Sequence, residues 1–190
     1  MEVKGVAVST IPGFVISEFG NEGYRKWYNE LSPDAKDVFE TKIMSNSWFP
    51  LKEIMTEPTQ LICDLFYGGD LKGAFKLGSY SANFGLTGVY KLFVKFGSPE
   101  FIITRAPVIL PTYYRPSAME FKVLNEGKVL FSITEFAEMS RVIEHRIAGW
   151  MQRGLEICGT KNTNVQVVKS KLDNNPSTEI LALWGKGPAG

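Results

Sequence analysis

Few side chains in this 190-residue sequence could do chemistry: one histidine, His145, and two cysteines, Cys63 and Cys158, set among 21 basic and 20 acidic residues. Catalysis of the Ser-His-Asp or Cys-His kind needs a nucleophile, a base and a third group that orients the base. A single histidine supplies that arrangement only if it is sheltered. A metal site needs clustered His, Cys, Asp or Glu at ligand spacing, and the sequence shows none. No P-loop sequence is present to hold a phosphate chain. The expectation is a protein that is not an enzyme, with no metal and no resident cofactor.

The segment holding His145 has a strong helical period. Successive residues about 100° apart set Ile143, Ile147, Trp150, Met151, Gly154 and Cys158 on one arc, flanked by Ala148, Leu155 and Ile157. This predicts a helix over 140–158 with that arc buried. His145 falls on the opposite side beside Gln152 and Glu156, where water or an interface is the expected neighbour, and this disfavours it as a heme ligand or general base. Glu144 is the unusual member, at the edge of the apolar arc. The favoured reading runs its stem along the surface, with the head in solvent or joined to a nearby Lys or Arg. The sharper reading is a desolvated carboxylate meeting a polar group of a ligand or partner.

Binding is a better prospect than catalysis, because aromatic residues make up 13% of the chain and 13 of them are Phe. Most should form the core. A few are suited to line an apolar pocket, since tyrosine and tryptophan join a flat apolar face to a polar tip. Trp48, Tyr67, Tyr90, Phe93 and Tyr114, with Glu144, are the candidate ligand-binding residues.

The elements that must position them follow from period and punctuation. Val3, Val6 and Val8 suggest an opening strand. Thr10 ahead of Ile11-Pro12 predicts a cap and a helix that stops at Gly20. A second helix is expected from Gly23 to Leu31 and a third after Ser32-Pro33. Pro50 opens a helix over 51–55 that Pro58 should end or kink. Helical spacing resumes from Thr59 to Tyr67 and stops at Gly68-Gly69, and Asp70 caps a helix reaching Phe84 that carries Gly73, Gly78, Ser79, Ser81 and Ala82, small residues that would let another backbone come close. Another is expected over 89–96, and one more from Ser98-Pro99, ending where Pro107 and Pro111 break the pattern. Beyond Pro116 the period becomes two: Met119, Phe121 and Val123, a turn at Asn125-Glu126-Gly127, then Val129, Phe131 and Ile133. After the helix over 140–158, Val165 and Val167 open a third strand and Ile180 to Trp184 form a fourth. The fold class is therefore α+β (α/β mixed): a helical N-terminal half, then a four-stranded antiparallel sheet with one long helix packed on it. Residues 1–190 read as a single domain, 1–116 mainly helical and 117–186 hairpin-helix-hairpin.

Composition narrows the class further. Apolar residues are 44% of the chain and its net charge is +1. Disorder is excluded, and no basic run offers the footprint that nucleic acid requires. No segment has the apolar length of a membrane span, and the N-terminus lacks the basic and apolar regions of a signal peptide, so a cytoplasmic protein with reduced thiols is expected, with no membrane insertion.

Three stretches resemble a known family: the turn Trp48-Phe49-Pro50-Leu51, the small-residue helix leading to Thr87-Gly88-Val89-Tyr90-Lys91-Leu92-Phe93, and Ile147-Ala148-Gly149-Trp150 with Leu155 and Gly159. They are similar to an uncharacterised bacterial family best known from myxobacteria, itself related to 4-vinyl-reductase-type sensor domains, heme nitric-oxide-binding domains and vesicle-tethering TRAPP subunits. The resemblance implies a helical half, a four-stranded antiparallel sheet, a homodimer and a buried pocket for a small or acyl molecule. Specific ligands do not carry over. Lys169 to Ala182 lacks the cysteine pair that binds zinc in the first relatives. The proximal histidine and the Tyr-x-Ser-x-Arg motif of the heme relatives are missing, and Cys63 matches the acylated cysteine of the tethering relatives by position only. The first expectation is a non-enzymatic sensor or regulatory domain holding a small apolar or aromatic molecule. An interaction or tethering protein with a structurally filled pocket comes second, a heme-based gas sensor third and an enzyme fourth.

Overall fold

The computed structural model describes residues 1–85 and 98–185. The expected helix over 89–96 lies outside the described residues.

The chain opens with strand β1 (Glu2–Lys4), short helix α1 (Gly5–Val8) and α2 (Thr10–Asn29). The opening strand is shorter than the valine spacing predicts, because the backbone turns helical at Gly5. A Cβ there would sit 2.1 Å from the Met44 carbonyl oxygen, so only glycine lets the 41–47 connection lie this close. Gly20 interrupts α2 with φ 68°, ψ −173°, where the sequence places a helix stop. Thr10 is not the cap: its hydroxyl turns inward, donating to the Ala7 carbonyl at 2.8 Å and lying 2.7 Å from Ser81 Oγ. Ser32 does cap α3 (Pro33–Glu40), accepting from the Ala35 amide.

Strand β2 (Trp48–Pro50) leads through a π-helical turn, Lys52–Thr56, into α4 (Glu57–Tyr67). Pro58 neither ends nor sharply divides this run. It sits in the first turn of α4, where its missing N–H would have been unpaired anyway. Its carbonyl accepts from Trp27 Nε1 at 3.0 Å, which ties α4 to the fully buried Trp27. Gly68 closes α4 in the left-handed region. Asp70 Oδ1 then accepts from the Lys72 amide at the start of α5 (Lys72–Gly85).

Helix α6 (Pro99–Tyr113) runs through Pro107 and Pro111, which the sequence reading placed at its end. The two prolines are four apart, so both missing donors fall on one face and the remaining ladder persists. Strand β3 (Tyr114–Arg115) follows. It pairs antiparallel with β1, which also pairs with β2, giving a three-stranded sheet of order β2-β1-β3 that periodicity did not reveal.

The C-terminal half matches its expected fold. Strands β4 (Ala118–Asn125), β5 (Lys128–Glu135), β6 (Lys161–Lys169) and β7 (Thr178–Gly185) form an antiparallel sheet of order β4-β5-β7-β6, and α7 (Arg141–Ile157) packs across it. Alternate residues of β5, namely Val129, Phe131 and Ile133, are buried and lie opposite Ala182, Ile180 and Thr178 of β7. Ser140 Oγ accepts from the Ile143 amide and fixes the start of α7. One apolar core joins both halves, from Ile11, Phe14 and Trp27 to Phe131, Ile143 and Ile180. Among the described residues, no helix is long and apolar enough to cross a membrane.

Candidate functional site

Helix α7 is more deeply enclosed than a helix with one wet face. Its sheet side carries Glu144, bonded to Thr178, with Met151 and Leu155 near Phe131, and its other sides meet α5 and α6. The contact with α5 is backbone to backbone: a Cβ on Gly78 would lie 2.0 Å from the Arg146 carbonyl oxygen, and one on Gly149 would lie 1.9 Å from that of Phe75. Ser79 Oγ donates to the Gly149 carbonyl at 3.0 Å along the same seam. Of the small residues of α5, Gly78 and Ser79 serve this approach, while Gly73 faces Tyr67 and Cys63 of α4.

Beside the seam, α1, α5, α6 and α7 enclose an apolar cavity with about 60 Å³ of free space open to a water molecule. Its wall includes Ile109, Leu110, Tyr113, Tyr114, Trp150 and Arg146. Trp150 belongs to the arc assigned to the core, yet it is only half-buried and forms cavity wall, with its ring centroid 5.9 Å from that of Tyr113.

Arg146 is the residue that sequence reasoning missed. It is 2% exposed, and its guanidinium spans the ends of several helices. Nη2 donates to the Ala7 carbonyl at 2.8 Å and lies 3.4 Å from Ser81 Oγ and 3.5 Å from Thr10 Oγ1, while Nη1 donates to Thr59 Oγ1 at 3.1 Å. Every acceptor is neutral. Burying a cation costs several kcal/mol unless a counter-charge compensates it. That burial pulls the Arg146 pKa down to about 10, opposed by Tyr114. Tyr114, buried nearby, has its own pKa raised by the same desolvation. A signal was present: Arg146 stands three residues after Ile143 and four before Trp150, on the apolar ladder itself.

Glu144 occupies a different buried site, between α7 and the sheet. It is 0% exposed, which overturns the reading that its head reaches solvent. Oε1 accepts from Ser170 Oγ at 2.5 Å and Thr178 Oγ1 at 2.7 Å, and Oε2 faces Arg141 Nη1 at 3.5 Å without a hydrogen bond of its own. Arg141 in turn bonds Asp173. This network pins α7 to the loop before β7. His145 is half-buried, with Nδ1 2.9 Å from the Arg141 carbonyl oxygen.

Of the candidate ligand-binding residues, Tyr114 reaches the cavity wall. Trp48 lies on β2, half-buried, under the Arg115 guanidinium at 3.9 Å from its ring centroid. Tyr67 ends α4, edge-on to Phe19, its hydroxyl buried without a hydrogen-bond partner. Glu144 is in the sheet-side network just described. Tyr90 and Phe93 lie outside the described residues.

A helical half with a four-stranded antiparallel sheet, joined around one buried helix and a narrow cavity, defines a known fold. The chain is similar to an H-NOX protein from K. algicida in the Fe(II) unliganded state, at TM-score 0.72 and 10% identity over 98% of this chain and 99% of that one. It is also similar to H-NOX proteins from S. oneidensis in the Fe(II)NO state, at TM-score 0.74, 9% identity and 96% and 99% coverage. A T. tengcongensis H-NOX mutant matches at TM-score 0.66, 10% identity and 98% and 100% coverage. At such identity the likeness shows a shared fold. No protein-family model matches the sequence, and no curated protein matches it.

These neighbours raise the question of heme, and the residues here do not fit it. The chain's single histidine is on the far side of α7 from the cavity, bonded to backbone. The free space is far smaller than a porphyrin, and the α5–α7 seam is closed by backbone atoms that leave no slot beside them. Among the described residues, no group of three His, Cys, Asp or Glu is placed to hold a metal ion.

Proposed function

We propose that this chain is a non-enzymatic sensor or regulatory domain that holds a small molecule in the cavity between α1, α5, α6 and α7. The observation that carries the reading is the cavity wall: mainly apolar, with Arg146 and two tyrosines as its orienting groups, in the fold of proteins described in Fe(II) and Fe(II)NO states. Ligand pockets have this composition, a greasy lining with a few fixed polar groups. Here the ligand replaces heme as the occupant. Its binding shifts the balance between two packings of α6 against α7, which requires different affinities for the two.

The test is native mass spectrometry of purified protein before and after organic extraction, joined to thermal denaturation against small aromatic and aliphatic molecules. A ligand at about 100 times its Kd adds about 2.7 kcal/mol, and for a chain of this size that raises the midpoint by roughly 5–10 °C. A Soret band in the purified protein would instead establish the heme-based gas sensor. No bound mass and no shift across the panel would transfer the case to the interaction protein.

A further inference from the structure

The sensor reading leaves the ligand's chemistry open, and Arg146 closes it. Its guanidinium is buried with neutral oxygens alone as acceptors, and no acidic side chain among the described residues lies within ion-pair distance. The segments 86–97 and 186–190 contain no Asp or Glu, so no carboxylate side chain there can supply the missing charge. Three of its neighbours keep partners without it, since the Ala7 carbonyl also accepts from Thr10 Oγ1 and Thr10 Oγ1 is paired with Ser81 Oγ, while Thr59 Oγ1 is bonded to the guanidinium. Arg146 lines the cavity, and so do Ala7 and Ser81, which its guanidinium touches, so the charged end lies at the cavity's edge. Of its five N–H donors, the contacts to Thr10 and Ser81 are long, leaving donor capacity for a stronger acceptor.

A carboxylate is the complement of this group. It is planar, matches the guanidinium fork and carries the single negative charge that one buried cation neutralises. A phosphate dianion would bring a second charge to a wall with no second cation. Resting on the sensor reading, we propose that the cavity binds a small monocarboxylate, its charged head paired with Arg146 and its apolar body lying against Ile109, Leu110, Ile147 and Trp150.

The experiment compares acids with their isosteric amides on the purified full chain at fixed ionic strength: acetate, butyrate and benzoate against acetamide, butyramide and benzamide, read by thermal shift and calorimetric titration. At least one acid is expected to bind about 10- to 100-fold more tightly than its amide. Arg146→Met is expected to fold, with a midpoint at or above the wild type, and to lose that preference; Arg146→Lys is expected to keep part of it. An acid and its amide binding equally would overturn the inference and leave the sensor reading standing. So would an Arg146→Met variant that keeps the preference. If nothing in either series binds, both fall. Should Arg146→Met fail to fold, the wild-type comparison decides alone.

Discussion

At the scale of single residues, α7 carries two buried charges handled in opposite ways. Glu144 is satisfied by the protein: two hydroxyls meet one oxygen and a guanidinium faces the other. Thr178→Val removes a donor from a buried carboxylate, and the cost expected from equilibrium urea unfolding is about 1–3 kcal/mol. A loss under a few tenths would mean that Ser170 and Arg141 already suffice. Glu144→Ala, which leaves the hydroxyls and Arg141 without their acceptor, should cost about 3–5 kcal/mol, the range for breaking a buried pair. The angular argument placed Glu144 at the edge of the apolar arc, which marked it as unusual, but the favoured reading left its head in solvent or beside a Lys or Arg, and its full burial went against the first of these. Its partners were not legible, because Ser170 and Thr178 are 26 and 34 residues away and meet it only when the second hairpin closes. Arg146 was legible from its place between Ile143 and Trp150, but arginine's long stem usually carries its charge out to water. Here α1, α4 and α5 block that exit, which no local pattern records.

At the scale of elements, the seam between α5 and α7 fixes the cavity's shape. Gly78 and Gly149 face backbone oxygens, so an added methyl group has no flexible side chain to push aside. Gly149→Ala should separate the two helices and lower stability by about 1–3 kcal/mol or more, outweighing the gain of up to about 1 kcal/mol that alanine brings to a helix interior. A Gly149→Ala protein as stable as the wild type in urea would show that the helices are not in contact here. The small residues of α5 announced a close approach, though not to which helix. Hairpins, the helix starts at Ser32 and Ser140, and the stop at Gly20 were readable because each is decided within a few residues. The sheet β2-β1-β3 was not, since its strands are two or three residues long and more than 40 apart in sequence. Pro58, Pro107 and Pro111 misled for a related reason: proline's local cost is real, but its position in the first turn or along one helix face decides whether the helix survives.

At the scale of the whole molecule, the buried ionisable groups determine how stability responds to alkali. Burial pushes the Cys158 thiol up from 9.0 to about 11, and raises Cys63 as well, while the unfolded chain ionises both near the ordinary value. A raised folded pKa gives stability that is whole below pH 9 and is lost as pH climbs toward 11, because the unfolded state releases its protons first. Arg146 acts in the other direction. Burial depresses its pKa, so at high pH the folded state holds the buried charge less tightly than the unfolded chain does. The urea midpoint should therefore hold steady from pH 7 to 8.5 and fall between pH 9 and 10, and above 10 the tyrosines raised by burial, Tyr114 among them, extend the fall. Cys158→Ala should reduce the fall, and Arg146→Met, by removing the one group that works against it, should make it steeper past pH 10. A wild-type midpoint that rises between pH 9 and 10 would mean that the thiols ionise in the folded protein as easily as in water, and that the groups around α7 are far less enclosed than their packing requires.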